Sequence, residues 1–389
     1  MSRIFLAALL SAWLAFAQSG PDNEVLQRAL KLHQSGDYSG AITAYEQFLK
    51  AHPDAAGVRS NLGAALAHEG RFEDAIREYR LALEAQPAGT PAASKVRLNL
   101  ALAYFKTAQL SKAAAELAQV RAADPSNQQA ALLLATCYLR MGQNKKVIEL
   151  LDPAWQQISA STDRTGLAVA YLLGAALIRD NQVDRGQVII DRILKNGDSA
   201  EAHLLMGTAK FAAKDFAGAR TDLARAVELN PKLPEAQSYL GLVLLRTGDS
   251  AGAEKAFRNE LALDANDFNA NLELGGILRQ DRRYQESRPL IERALLLRPG
   301  DYGARYQLAS IDLAEDRLLE AQARLESLIK DAPNFTEAHV SLATVYYREK
   351  RKQDGDRERE AVRRLNAELQ AKQPGAQPQP PQKAPAAQE

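Results

Sequence analysis

Apolar positions in this chain fall into two helical stripes that alternate with polar faces, and the pair returns about every 34 residues. The marker of the period is a small residue: Ala29, Gly63, Ala101, Ala135, Gly174, Gly207, Gly241, Gly275, Ala309 and Ala343. The residue before it is apolar in nine of the ten; the exception is Arg28, in the first unit, where a polar outer face suits a cap. Twelve positions after the marker a second small residue stands at Ala41, Ala75, Ala113, Gly186, Ala219, Ala253, Ser287 and Ala321, with Val147 the larger exception. Four positions later comes a bulky apolar residue, among them Tyr45, Tyr79, Leu223, Phe257 and Ile291. This spacing predicts two amphipathic helices of about 12–14 residues per unit. Small residues let the paired backbones approach, and the bulky ones are expected to fill the gap between neighbouring units. Prolines such as Pro53, Pro87, Pro125 and Pro231 close most units because proline cannot continue a helix. Gly36, Gly70, Gly142 and Gly248 mark the turn inside a unit, where a residue past a helix end often takes positive φ. A period this constant means a stack of units that each contact mainly their neighbours, not one globular core.

Residues 61–87, NLGAALAHEGRFEDAIREYRLALEAQP, together with the step of 34, resemble the tetratricopeptide repeat. The resemblance spans about residues 22–370 and implies an all-α, right-handed superhelical solenoid of about nine to ten helix-turn-helix repeats. Two interruptions break the step: four extra residues near 90–93 and about five within 159–165. The fourth, fifth and seventh units also lack the closing proline, so looser or differently angled joints are expected there. The organisation read from these features is a signal peptide over 1–17, units one to four over 22–161 and units five to nine over 162–335. A last repeat helix and a capping helix follow over 336–371, then a Pro/Gln/Ala-rich tail over 372–389 that is expected to be disordered.

Composition narrows the function. Lys plus Arg number 49 and Asp plus Glu 48, so nothing draws the chain toward nucleic acid or anionic lipid. Arg3, the apolar run 4–16 and Ala15-Phe16-Ala17 read as a secretory signal cleaved after Ala17, too short to span a bilayer. The expected location is therefore the bacterial periplasm or the medium, with no transmembrane segment left after cleavage. The lone Cys137 cannot form an internal disulfide and reads as a small buried hydrophobe. Near the C-terminus, Ala361, Val362, Leu365 and Leu369 form a narrow apolar stripe amid charge, as a capping helix requires.

No catalytic constellation stands out, and the expected protein is not an enzyme. His33, His52, His68, His203 and His339 are scattered without metal-ligand spacing; His203 and His339 share one repeat position, which register explains better than a ligand set. No phosphate-binding glycine loop or nucleophile elbow is present. Neither a metal nor a cofactor is expected.

By the resemblance, first helices line a concave groove through positions three before and one, four and five after the small residue. These supply Leu98, Leu102, Phe105, Leu132, Leu139, Arg140, Tyr171, Ile178, Arg179, Leu204, Phe211, Leu242, Leu245 and Arg246 as candidate partner contacts. The set is apolar, with an arginine or lysine ending several rungs. Leu102, Thr136, Ala175, Thr208 and Leu242 stand where the family's carboxylate clamp has asparagine, which argues against a receptor for partner C-termini. An apolar groove suits an amphipathic helix or an extended hydrophobic segment. The function expected is a non-enzymatic scaffold or adaptor that binds protein or peptide partners. The alternative is an accessory subunit of cell-envelope biogenesis or of polysaccharide or protein export. Self-packing, or a second copy of the chain, competes for the same face.

Overall fold

A computed structural model describes residues 21–87, 89–157, 164–195 and 197–371. The signal-peptide stretch 1–17, most of the 159–165 interruption and the tail 372–389 lie outside the described residues. Among the described residues there are twenty helices and no strand. Two compact units divide between Cys137 and Tyr138. The first contains α1 (Pro21–Ser35), α2 (Tyr38–Ala51), α3 (Ala56–His68), α4 (Phe72–Glu84), α5 (Pro91–Lys106) and α6 (Leu110–Ala123). The boundary falls inside α7 (Gln128–Arg140). The second unit holds α8 (Asn144–Gln157), α9 (Arg164–Arg179), α10 (Val183–Leu194), α11 (Ala200–Ala212), α12 (Phe216–Leu229) and α13 (Ala236–Arg246). It continues through α14 (Ser250–Leu263), α15 (Phe268–Gln280), α16 (Tyr284–Leu297), α17 (Tyr302–Ala314), α18 (Leu318–Asp331), α19 (Thr336–Arg348) and α20 (Lys352–Ala371).

Each hairpin turns through a residue at positive φ seven positions after the small marker. Gly36, Gly70, Gly142 and Gly248 fill it, as expected, at φ between 72° and 88°. Ala108, Asn181, Lys214, Arg282, Asp316 and Lys350 take the same left-handed conformation without glycine's freedom. The bonds that hold it are those of a Schellman end: in the first hairpin Asp37 N–H donates to Leu32 O at 3.0 Å and Gly36 N–H to His33 O at 3.2 Å. Helix starts are secured by side chains as well. Asp37, Asp215 and Asp249 accept from the backbone N–H groups of Gly40, Gly218 and Gly252 at 2.8–2.9 Å.

The bulky residue of the second helix lies on the small residue of its own hairpin, rather than only between units. A Cβ added to Gly63 would stand 2.7 Å from the Tyr79 ring, one on Gly241 2.6 Å from the Phe257 ring, and one on Gly275 2.5 Å from Ile291. The two helices of a hairpin cross too closely there for a side chain on both. Contact between neighbouring units comes from other leucines, as where Leu205 reaches to 2.9 Å of a Cβ added to Gly174.

The interruptions have a shared structural result. The extra residues near 90–93 do not simply lengthen a turn: Thr90 caps α5, accepting from Ala93 N–H at 3.2 Å, and Pro91 opens it. That helix has 16 residues against 13 in α3, and α9, which follows the second interruption, also has 16. At the C-terminal end, α20 buries Leu365, half-buries Ala361 and Val362 and leaves Leu369 59% exposed, the one-sided contact of a cap. Cys137 is buried and in no disulfide. No described helix is long and apolar enough to cross a membrane.

Candidate functional site

The two units present their inner positions differently. In the first, Leu98, Leu102 and Phe105 on α5 and Leu132 on α7, positions that the resemblance assigns to the groove, are all half-buried. In the second, Leu139, Ile178, Leu204 and Leu242 are buried. Ile178 shows the cause, since it lies 2.8 Å from where a Cβ of Gly186 would be, filling its own hairpin. Phe211 and Leu245 stay half-buried and Arg246 is exposed. Phe211 lies in an aromatic group, 5.8 Å from Phe216 and 6.5 Å from Tyr239 between ring centroids.

The remaining three candidates, Arg140, Tyr171 and Arg179, converge on a polar cluster inside the second unit. Glu235 is its centre. Its carboxylate accepts from Tyr171 Oη and from Arg179, each at 2.7 Å. Its backbone N–H donates to Glu260 Oε1 at 2.8 Å, and Glu260 Oε2 also accepts from Ser238 N–H at 3.3 Å. Glu260, on α14, thereby caps the start of α13. Glu235 has φ +70°, outside the series of hairpin turns, and α13 begins late, with 11 residues. That conformation costs a non-glycine residue free energy, and here both the backbone N–H and the carboxylate of Glu235 are held by partners. Arg140, at the end of α7, pairs with Asp264 and reaches the Asn266 carbonyl at 3.4 Å. Arg298, closing α16, donates from Nε to the Arg140 carbonyl at 2.7 Å across 158 residues of sequence. Ser238 Oγ and Ala270 N–H donate to Asp267 at 2.8 and 2.7 Å.

Burial sets the charges. Desolvation works against the Arg140 and Arg179 cations, but Asp264 and Glu235 respectively outweigh it and hold both above the ordinary arginine value. Desolvation likewise opposes the Glu235 anion, and Arg179 with Tyr171 more than offsets it, so Glu235 titrates below the usual range. Among the described residues no cation pairs with Glu260: burial and the neighbouring Asp267 push it up to about 8. Burial and Glu235 also raise Asp267. Arg298 is driven down by burial and then by Arg179.

The histidines serve hairpins. A side chain four positions before the small residue bonds one 19 positions later: Arg59 with Glu78 at 2.8 Å, Arg97 with Glu116 at 2.6 Å, His203 with Asp222 at 3.2 Å and His339 with Glu358 at 2.6 Å. The register equivalence of His203 and His339 is this recurring clasp. Among the described residues no group of three or more His, Cys, Asp or Glu is placed to hold a metal.

Reading residues in isolation misses Glu235, Glu260, Asp264, Asp267 and Arg298. Glu235, Asp264, Asp267 and Arg298 sit before, between or after helices and Glu260 lies on a second helix, all outside the first-helix positions from which the groove was drawn. Only Pro234, directly ahead of Glu235, hints at an altered helix start.

Helices paired through tight turns, repeated along the chain, define an all-α repeat protein. Two sequence models, each described as Tetratricopeptide repeat, match residues 26–90, 204–268 and 238–304, and residues 109–162 and 278–345. The chain belongs to the tetratricopeptide repeat family. Among solved structures it is similar to a tetratricopeptide repeat protein from Parabacteroides merdae, 14% identical, with TM-score 0.56, covering 66% of this chain and 98% of that one. That likeness shows the fold. A repeat-containing thioredoxin, TTL4, of Arabidopsis thaliana is 32% identical over 73 residues, covering 19% of this chain and 11% of its own length. The CTR9 homolog of the same plant is 36% identical over 101 residues, covering 25% and 9%. The chain thus spans about a tenth of the length of the curated relatives it matches. The fold is typically that of a protein-interaction scaffold without catalysis.

Proposed function

We propose that this protein is an exported, non-enzymatic scaffold that binds protein partners through apolar inner positions of its first helices. The observation that carries the reading is that Leu98, Leu102, Phe105 and Leu132, four large apolar side chains at the positions the family resemblance assigns to the groove, are half-buried in the first unit. An amphipathic helix or extended apolar segment is the occupant such a set fits. Export rests on Arg3 and the apolar run ahead of Ala17.

Photocrosslinking in the producing cell tests the binding face, with benzoylphenylalanine placed at Phe105. An adduct with another polypeptide is expected, and Leu98→Glu with Leu102→Glu should reduce it about tenfold or more, since burying a carboxylate in an apolar contact costs over 1.4 kcal/mol. An adduct only with a second copy would replace the reading by self-association; no adduct would end it. For export, the mature protein should begin at Gln18 by intact mass, and a retained Met1 would contradict that.

A further inference from the structure

Arg298 is a half-buried cation of the second unit that makes no ion pair among the described residues. Its guanidinium is fixed on three sides. Nε is committed to the Arg140 carbonyl at 2.7 Å, the plane lies 3.9 Å from the centroid of Phe268, and a Cβ added to Gly142 would be 3.9 Å from its central carbon. Among the described residues no carboxylate comes within 4.0 Å of it, and its two terminal amino groups donate no hydrogen bond to the chain. The acceptors around it are already engaged: Asp264 by Arg140, Glu235 by Arg179 and Tyr171, Asp267 by Ser238 and Ala270 N–H. Arg179 adds a second unmet donor, because its Nε is buried without a partner.

We propose that Arg298 is a docking point for a carboxylate carried by a protein segment bound to the second unit. A guanidinium held in one plane with its outer edge free matches the two oxygens of a carboxylate and has little freedom left to lose on binding. Charge selects the ligand class. Glu235, Asp264 and Asp267 lie among the guanidinium groups of Arg140, Arg179 and Arg298, so a singly charged carboxylate meets less repulsion there than a phosphate dianion would. The apolar surface at hand is the half-buried Phe211, whose ring centroid lies 6.5 Å from that of Tyr239, itself 5.4 Å from Arg179. The segment therefore combines an acidic group with apolar side chains. This rests on the reading of the protein as a partner-binding scaffold.

The test uses the full chain and a short acetylated Leu/Ala peptide labelled with a neutral fluorophore, in three forms. One has a single glutamate and an amidated end; the second has glutamine and a free C-terminal carboxylate; the third has glutamine and an amidated end. At low salt at least one acid form should bind about tenfold tighter than the third, and the two acid forms tell a side-chain carboxylate from a chain end. The preference should vanish at high salt and in Arg298→Gln, and be partly kept in Arg298→Lys, which retains charge without the fork. Equal binding of all three forms to the unmodified chain, or no binding of any, overturns the proposal without needing a variant; so does a preference that survives Arg298→Gln. The Phe105 crosslink reads the scaffold function separately in the first unit, so each reading fails on its own evidence.

Discussion

The first unit and the second are built from one repeat, yet their inner faces are spent differently. In the first, Leu98, Leu102, Phe105 and Leu132 remain half-buried and Lys106, at the end of its rung, is exposed. In the second, Arg140 and Arg179 occupy the same rung position as Lys106, but ion pairs with Asp264 and Glu235 take their side chains down to 18% and 15% exposure. Repeat register therefore marks equivalent positions, and the segments joining helices decide whether a side chain there meets solvent or another part of the chain. The strained Glu235 and the carbonyl of Arg140 are loop and helix-end groups, and the bonds they make hold this part of the second unit together.

The largest effect expected to separate the units comes from removing one partner of each ion pair. Arg179→Met leaves Glu235 among Asp267 and Glu260 with only Tyr171 to bond it, which should cost about 3 kcal/mol. Arg59→Met leaves Glu78 able to turn to water and should cost about 1 kcal/mol or less. Hydrogen exchange read by mass spectrometry assigns each loss to its unit. Equal losses would mean that the polar cluster is no more interior than a hairpin clasp.

A pH series should move the units in opposite directions. Glu260 holds its proton up to about 8, while the unfolded chain releases it near 4.5. Its contribution is thus full below about 4.5 and declines as pH rises toward 8, because the folded state binds more protons across that window. In the first unit burial lowers His33 and His68 from 6.5, with His68 also depressing His33. There the unfolded chain binds more protons, so stability rises with pH up to about 6.5. Raising pH from about 5 to about 8 should increase protection from exchange in the first unit and reduce it in the second, after correction for intrinsic rates. Glu260→Gln, neutral at every pH, should remove most of the second unit's decline; an unchanged decline would place its origin elsewhere.

Much of this was readable beforehand, and the division is physical. The marker residues, the hairpins and the glycine turns follow from local periodicity, because each unit's packing lies within some tens of residues. The equivalence of His203 and His339 was readable for the same reason, though their partners Asp222 and Glu358 were not. The bulky residue's true partner, the small residue of its own hairpin, required knowing how closely the two helices cross. The polar cluster required more, since Arg140 and Arg298 are 158 positions apart and no periodic signal links them. Arg140, Tyr171 and Arg179 were visible as inward side chains, but the acids that hold them were not.

The smallest effect compares the units where they should be alike, at the hairpin turn. Gly70 in the first unit and Lys214 in the second hold φ of +76° and +62° at equivalent positions. Nothing lies within 4 Å of a Cβ added to Gly70, so backbone conformation, not contact, governs the exchange. An L-residue in this region pays roughly 1 kcal/mol relative to glycine, offset in part because glycine loses more freedom on folding. Gly70→Lys should therefore destabilise by about 0.5–1 kcal/mol, and Lys214→Gly should stabilise by a similar amount. The double exchange should leave the thermal midpoint near that of the original chain. Additivity is the informative part: the sites share no partner, so their effects should sum to within about 0.5 kcal/mol. A larger residue in the sum would show that the turns of the two units are energetically coupled, and the separation drawn between the units would then hold for their inner faces alone.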